Sequence, residues 1–232
     1  VRMLRFPKPV MDVFGHESGK YPIIVGRMTT GCEIRFVCED ADVFVTAEDA
    51  DGSVEIFRGD FLVRTQRLQP GISTRLELRS NLSVDNVNLS GVKSNFASNV
   101  WRIVFDHDFC GLVDEIRPFG QIRPPMPAEL PEKKIIAYGS SITQGGCASR
   151  PGMAYEAIIA RKLDCNYINL GFAGACRAED VMIDYLATLD PSVFVLDYDH
   201  NAPTVEYYRQ THERMFKIIR EAQPDLPIIM MS

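Results

Sequence analysis

From about residue 19 to residue 118, apolar and polar positions alternate in short runs. Examples are Glu33-Ile34-Arg35-Phe36-Val37, Val43-Phe44-Val45, Val54-Glu55-Ile56-Phe57, Thr74-Arg75-Leu76-Glu77-Leu78 and Trp101-Arg102-Ile103-Val104-Phe105. Successive side chains of a strand point to opposite faces, so this period of two predicts half-buried antiparallel strands joined by turns rich in Gly, Asp, Asn and Ser. Asp51-Gly52 predicts a hairpin, because glycine tolerates the positive φ of a tight turn. No run of ten or more residues at helical spacing interrupts the region, so the expected unit is a small β-sandwich or jelly roll.

Arg123-Pro124-Pro125-Met126-Pro127 ends this pattern. Each proline lacks an N–H and restricts the residue before it, so no sheet ladder continues through the segment. The expected division is a β accessory domain over 1–125 and an α/β domain over 126–232. In the second part strands are predicted at 134–138, 167–170, 193–197 and 227–231. Helices are predicted at 154–163, 178–189 and 204–222; Tyr155, Ile158, Ile159 and Ala160 fall on neighbouring turns of the first, and Glu179 and Asp180 open the second, where the helix dipole favours negative charge. Alternating strands and helices imply βαβ units and a parallel sheet covered on both faces. Four strands in about 100 residues is small for this class, so the sheet reads as incomplete at its C-terminal end. Either more chain follows, or the last strand is an uncovered edge that invites pairing into a homo-oligomer.

Composition narrows the function classes. Of 232 residues 46% are hydrophobic and 24% charged, enough apolar material for one or two cores. No run approaches the roughly 18 apolar residues of a membrane span, and residues 1–14 lack the sections of a signal peptide, so no membrane partner is expected. The net charge of −6, without a run of Lys or Arg, argues against nucleic acid. The six cysteines never form C-x-x-C and the four histidines show no zinc spacing, so no metal is expected, and reduced thiols favour the cytoplasm. Two N-x-S sequences, at Asn81 and Asn88, matter only in a secreted chain.

Candidate chemistry sits just past the predicted strand ends. Gly139-Ser140-Ser141-Ile142-Thr143-Gln144-Gly145 follows the first strand of the α/β part, at the side of an open sheet where ligands bind. A serine on such a turn presents its hydroxyl, with Gly139 easing the backbone; the alternative is a capped turn with two solvated serines. The stretch is not a phosphate loop, since G-x-x-x-x-G-K-[ST] is absent, and no cofactor is expected. Asn169-Leu170-Gly171-Phe172-Ala173-Gly174 and Asp197-Tyr198-Asp199-His200-Asn201-Ala202-Pro203 occupy equivalent positions after the next two strands. Acyl transfer needs a nucleophile and donors for an oxyanion, and the N–H of Ser141, the N–H of Gly174 and the Asn201 amide qualify. The plainer alternatives are Gly174 as a turn and Asn201 as the N-cap of the helix after Pro203.

Gly139-Ser140-Ser141-Ile142-Thr143 is similar to the G-D-S-[LI] nucleophile block of SGNH (GDSL-like) hydrolases. Asn169 to Gly174 looks like their second block with its oxyanion glycine, and Asn201 matches the asparagine of the third. Pro151-Gly152-Met153-Ala154-Tyr155 with Leu226-Pro227-Ile228-Ile229 resembles a subgroup carrying an N-terminal β-sandwich. The resemblance implies a flavodoxin-like three-layer α/β fold and a serine ester hydrolase without metal or cofactor. Its substrates would be small acyl esters, acylated carbohydrates among them. Ser141 would be the nucleophile, with Gly174 and Asn201 in the oxyanion hole.

Two departures stand out. Ser140 replaces the usual Asp, and no D-x-x-H block, which carries the family's base and its orienting carboxylate, follows Asn201. The chain is therefore expected to stop before its base and to have little activity alone. Asp197-Tyr198-Asp199-His200 fits D-x-x-H as letters but overlaps the third block, which leaves His200 a weak candidate for the base. His212 is expected on a helix face, and His16 and His107 belong to the β part. A reading from a different class is a carbohydrate-binding or interaction module whose α/β half has lost catalysis.

Overall fold

The computed structural model describes residues 1–17, 20–80 and 94–231; Asn81 and Asn88 lie outside them. Two helices open the chain, α1 (Lys8–Glu17) and α2 (Lys20–Arg27). Phe6 precedes α1, and Val10 and Phe14 follow it at helical spacing, so the three rings and side chains form one apolar stripe. That stripe packs on Phe172, with ring centroids 5.2 Å away for Phe6 and 5.1 Å for Phe14. The all-β reading from about residue 19 therefore fails at its start. Pro22 does not prevent α2, since proline is tolerated in a first turn, where N–H groups have no intrahelical acceptor.

Seven antiparallel strands follow: β1 (Glu33–Val37), β2 (Ala41–Ala47), β3 (Gly52–Arg58), β4 (Phe61–Leu68), β5 (Ser73–Leu78), β6 (Val100–Phe105) and β7 (Gly111–Pro118). They form sheets of order β1-β6-β3-β4 and β5-β2-β7. The alternation does what it predicts: Val43, Val45 and Leu76 of one sheet share a core with Ile56, Trp101 and Ile103 of the other. Asp51-Gly52 is not a hairpin, because β2 and β3 belong to different sheets. Gly52 is needed for closeness, as a Cβ there would lie 2.5 Å from the Phe109 ring. The two-residue hairpin is Gly59-Asp60, with Arg58 paired to Phe61 and Gly59 at φ 58°.

The chain then builds β8 (Lys134–Gly139), α3 (Ser141–Gln144), α4 (Tyr155–Leu163), β9 (Asn166–Gly171), α5 (Asp180–Ala187), β10 (Val193–Asp197), α6 (Val205–Ala222) and β11 (Ile228–Met230). The strands are parallel in the order β11-β10-β8-β9. Ile136 and Tyr138 of β8 join a core with Val10, Met182 of α5 and Met215 of α6, whereas Ile135 and Ala137 meet Ala160 of α4. Strands buried on both faces explain their continuous apolar runs. Ile229 and Met230 of β11 are half exposed at the sheet's edge.

Polar contacts stitch the two parts. Arg35 of β1 donates to Asn166 Oδ1 of β9 at 2.7 Å, and the N–H of Gly152 donates to Glu55 of β3 at 2.9 Å. Buried Arg5 donates to the carbonyls of Val25, Met28 and Gly171, tying the N-terminal segment to the end of β9.

Candidate active site

The sheet winds from β8 to β9 on one side and to β10 on the other, and such a reversal opens a crevice at the carboxyl ends of the strands. Asp197, Gly139 and Gly171 are register partners across those ends. The three candidate loops therefore leave the sheet side by side at the same level.

Two glycines let the nucleophile turn sink between the strands. A Cβ on Gly139 would lie 2.1 Å from Thr143 Oγ1 and 2.5 Å from the carbonyl of Asp197, and one on Gly171 would lie 2.0 Å from the N of Gln144. Close approach, rather than a positive φ, is why glycine is required at 139. Ser140 is buried and caps α3, its Oγ accepting from Ile142 N at 3.2 Å while its N–H donates to the Asp197 carbonyl at 2.8 Å. A serine thus serves the loop where the similar family has Asp. Ser141, the first residue of α3, is exposed, so the reading of two solvated serines holds for only one of them.

Side chains bond the three loops together. Thr143 Oγ1 donates to Asp197 Oδ2 at 2.9 Å, Gln144 Oε1 accepts from Ala173 N at 2.9 Å, and Asn169 Nδ2 donates to the Thr143 carbonyl at 2.8 Å. Behind them, Glu156 of α4 accepts from Asn169 Nδ2 at 2.7 Å. Glu156 is 1% exposed, and burial pushes its carboxyl up to about 8, with its own backbone N–H opposing and the Asp197 charge adding to the rise.

Gly174 is exposed in the turn after β9 at φ 66°, and among the described residues its N–H has no acceptor. The ring of Tyr21 from α2 lies beside it, 3.1 Å from where a Cβ would stand. Asn201 sits half-buried in a short 3-10 turn after β10, its Oδ1 buried without a partner among the described residues. It is not the N-cap of α6; Thr204 holds that position and accepts from Tyr207 N at 3.1 Å.

The histidines are spread out. His200 is 58% exposed and lies 3.9 Å from Asp199 Oδ1. His212 stacks on Tyr198 and Tyr208, with centroids 5.8 and 4.7 Å away, and burial lowers its pKa against the opposing charge of Asp199. His107 pairs with Asp106 at 2.6 Å in the β part, and this hydrogen bond raises its pKa. The side chain of His16 lies outside the described set. Among the described residues no group of three or more His, Cys, Asp or Glu is placed to hold a metal ion, and no helix is long and apolar enough to cross a membrane.

Sequence reasoning located the three loops but not Glu156, Asn169 or Tyr21 as neighbours of the site. In the sequence Asn169 stands only as the start of its loop, and the signal for Glu156 is a carboxylate on the apolar face of a predicted helix.

Residues 132–232 match the model of the GDSL-like lipase/acylhydrolase family. Over these residues the α/β part of this chain is similar to that family. No curated protein matches the sequence. Among solved structures, the GDSL-like fold is shared with a protein from Bacteroides ovatus described as a GDSL-like lipase, 23% identical with a TM-score of 0.60 over 97% of this chain and 64% of that one. It is also shared with the salicylyl-acyltransferase SsfX3 of a tetracycline biosynthetic pathway, 17% identical with a TM-score of 0.76 over 97% of this chain and 65% of that one. A family two carbohydrate esterase from Clostridium thermocellum, in complex with cellohexaose, is 16% identical with a TM-score of 0.57 over 85% and 69%. The chain thus spans a little under two thirds of the first two structures.

Proposed function

We infer that the protein is a serine ester hydrolase acting on small acyl esters, with acylated carbohydrates as the substrate class, and that Ser141 forms the acyl-enzyme. The observation that carries this reading is exposed Ser141 at the start of a turn hydrogen-bonded to both neighbouring loops, one offering Gly174 and the other Asn201. In this mechanism Ser141 Oγ attacks the ester carbonyl as a base takes its proton. The oxyanion accepts hydrogen bonds from the N–H groups of Ser141 and Gly174 and from the Asn201 amide, and water then hydrolyses the acyl-enzyme. No described histidine hydrogen-bonds to Ser141 Oγ, and His200 faces solvent, so the reading assigns the general base to a histidine outside the described set. The strand order supports a flavodoxin-like three-layer arrangement, with the antiparallel sheets as a β-sandwich accessory unit.

The carbohydrate esterases among the structural neighbours motivate the substrate class. A fluorophosphonate that modifies activated serines tests the reading. Peptide mapping is expected to find the label on Ser141 in the protein extended beyond residue 232, with loss of labelling in Ser141→Ala. An extended protein without label at Ser141 would favour a binding module, and rapid labelling of residues 1–232 alone would return the base to His200.

A further inference from the structure

We propose that Glu156 is a positioning residue of the candidate active site, holding the nucleophile turn and the oxyanion loop in register through Asn169 as a neutral carboxylic acid. The proposal rests on the serine-hydrolase reading for what the site does, but its geometry is independent of it. Asn169 is the junction. Its Nδ2 donates to the Thr143 carbonyl at 2.8 Å and to Glu156 Oε1 at 2.7 Å, while its Oδ1 accepts from Gly171 N at 2.8 Å. One amide thereby grips the C-terminal half of the nucleophile turn and the backbone from which the Gly174 loop departs. An amide rotated by half a turn would lose the bonds to the Thr143 carbonyl and the Gly171 N–H, so those two fix its orientation, and Glu156 braces it by accepting from the Nδ2 so presented.

Why a neutral acid follows from what faces it. Across from Glu156 stand Asp197 from β10, which already accepts from Thr143, and the phenols of Tyr155 on α4 and Tyr167 on β9. None supplies positive charge, and Glu156 Oε2 is buried with no partner among the described residues. A second carboxylate charge in this pocket would be unpaired and close to the first. The neutral acid keeps the acceptor that Asn169 needs without that charge, and it persists up to about pH 8.

The test uses Glu156→Gln, which keeps a neutral acceptor, and Glu156→Leu, which removes it, in the extended protein. Hydrogen exchange at the Gly171 amide reads the clamp without reference to catalysis. Glu156→Leu is expected to accelerate it about tenfold or more, with Ser141 labelling slowed by roughly 10- to 100-fold, as misplaced catalytic groups are; Glu156→Gln is expected to keep both near the original values. Thermal melts read the protonation state. The folded protein holds the proton up to about pH 8, whereas the unfolded chain releases it in the ordinary carboxylate range. The original protein is therefore expected to lose stability relative to Glu156→Gln as pH rises from 5 to 8. Unchanged exchange in Glu156→Leu, or a melting difference that does not grow over that pH range, would overturn the proposal. If the original protein fails to label at all, the hydrolase reading falls, and exchange and melting still decide the role of Glu156.

Discussion

At residue scale, the site depends on positions where no side chain fits. In Gly139→Ala the new methyl would meet the Thr143 hydroxyl, which can swing, and the Asp197 carbonyl, which is backbone and cannot. The expected outcome is a loss of about 1–3 kcal/mol in urea unfolding, as for other overpacked sites, with slower labelling of Ser141 because its turn is displaced. Gly174→Ala combines a left-handed backbone with contact against Tyr21. About 1–2 kcal/mol of backbone strain is expected there, together with impaired labelling. The glycine and serine of the nucleophile turn were legible because their meaning is local: an apolar run ends and a turn follows. Glu156 was not, because Asn169, which bonds to it, and Asp197, whose charge acts on it, lie on β9 and β10, and its neutrality arises only once the fold buries it beside them.

At the scale of elements, periodicity located most strands and helices to within a residue or two. The strand expected at 193–197 and β10 coincide, and the helix expected at 204–222 begins one residue later because Thr204 is its cap. Thr204→Ala is expected to destabilise the protein by about 1 kcal/mol in denaturant melts, leaving the N–H of Tyr207 without its acceptor. The short helix α2 escaped notice because it holds eight residues, carries Pro22 in its first turn, and buries Val25 against elements far away in sequence. Asp51-Gly52 misled for a related reason: glycine in a turn-like context records that space is tight, not which strand lies next to which.

At the scale of the whole molecule, polar and charged groups join the β and α/β parts at their seam. Burial works to raise the Glu33 carboxyl, but Arg102 and then Arg35 overcome it and hold it at about 2, while Arg35 also reaches Asn166 of β9. A carboxyl whose folded pKa is depressed stabilises the fold above its unfolded pKa, and this contribution is lost as pH falls toward the folded value. Glu33→Gln is expected to lower stability at pH 7 by about 3–5 kcal/mol, as for other broken buried ion pairs, and to flatten the loss between pH 4.5 and 2. Urea titrations at pH 7 and pH 3 check both parts.

The sequence by itself determined what depends on near neighbours: antiparallel strands before the proline-rich segment, a parallel α/β unit after it, and a serine turn at a strand end with two loops in matching positions. Burial of one face imposes a period, and a period can be read along the chain. Tertiary structure alone decided that the first helices pack on Phe172 and bring Tyr21 to Gly174, that β2 and β3 part company, and that Asn169 and Glu156 join the loops from behind. Those choices rest on contacts between residues far apart in the chain, where shape, desolvation and charge select one neighbour among many that local pattern leaves equivalent.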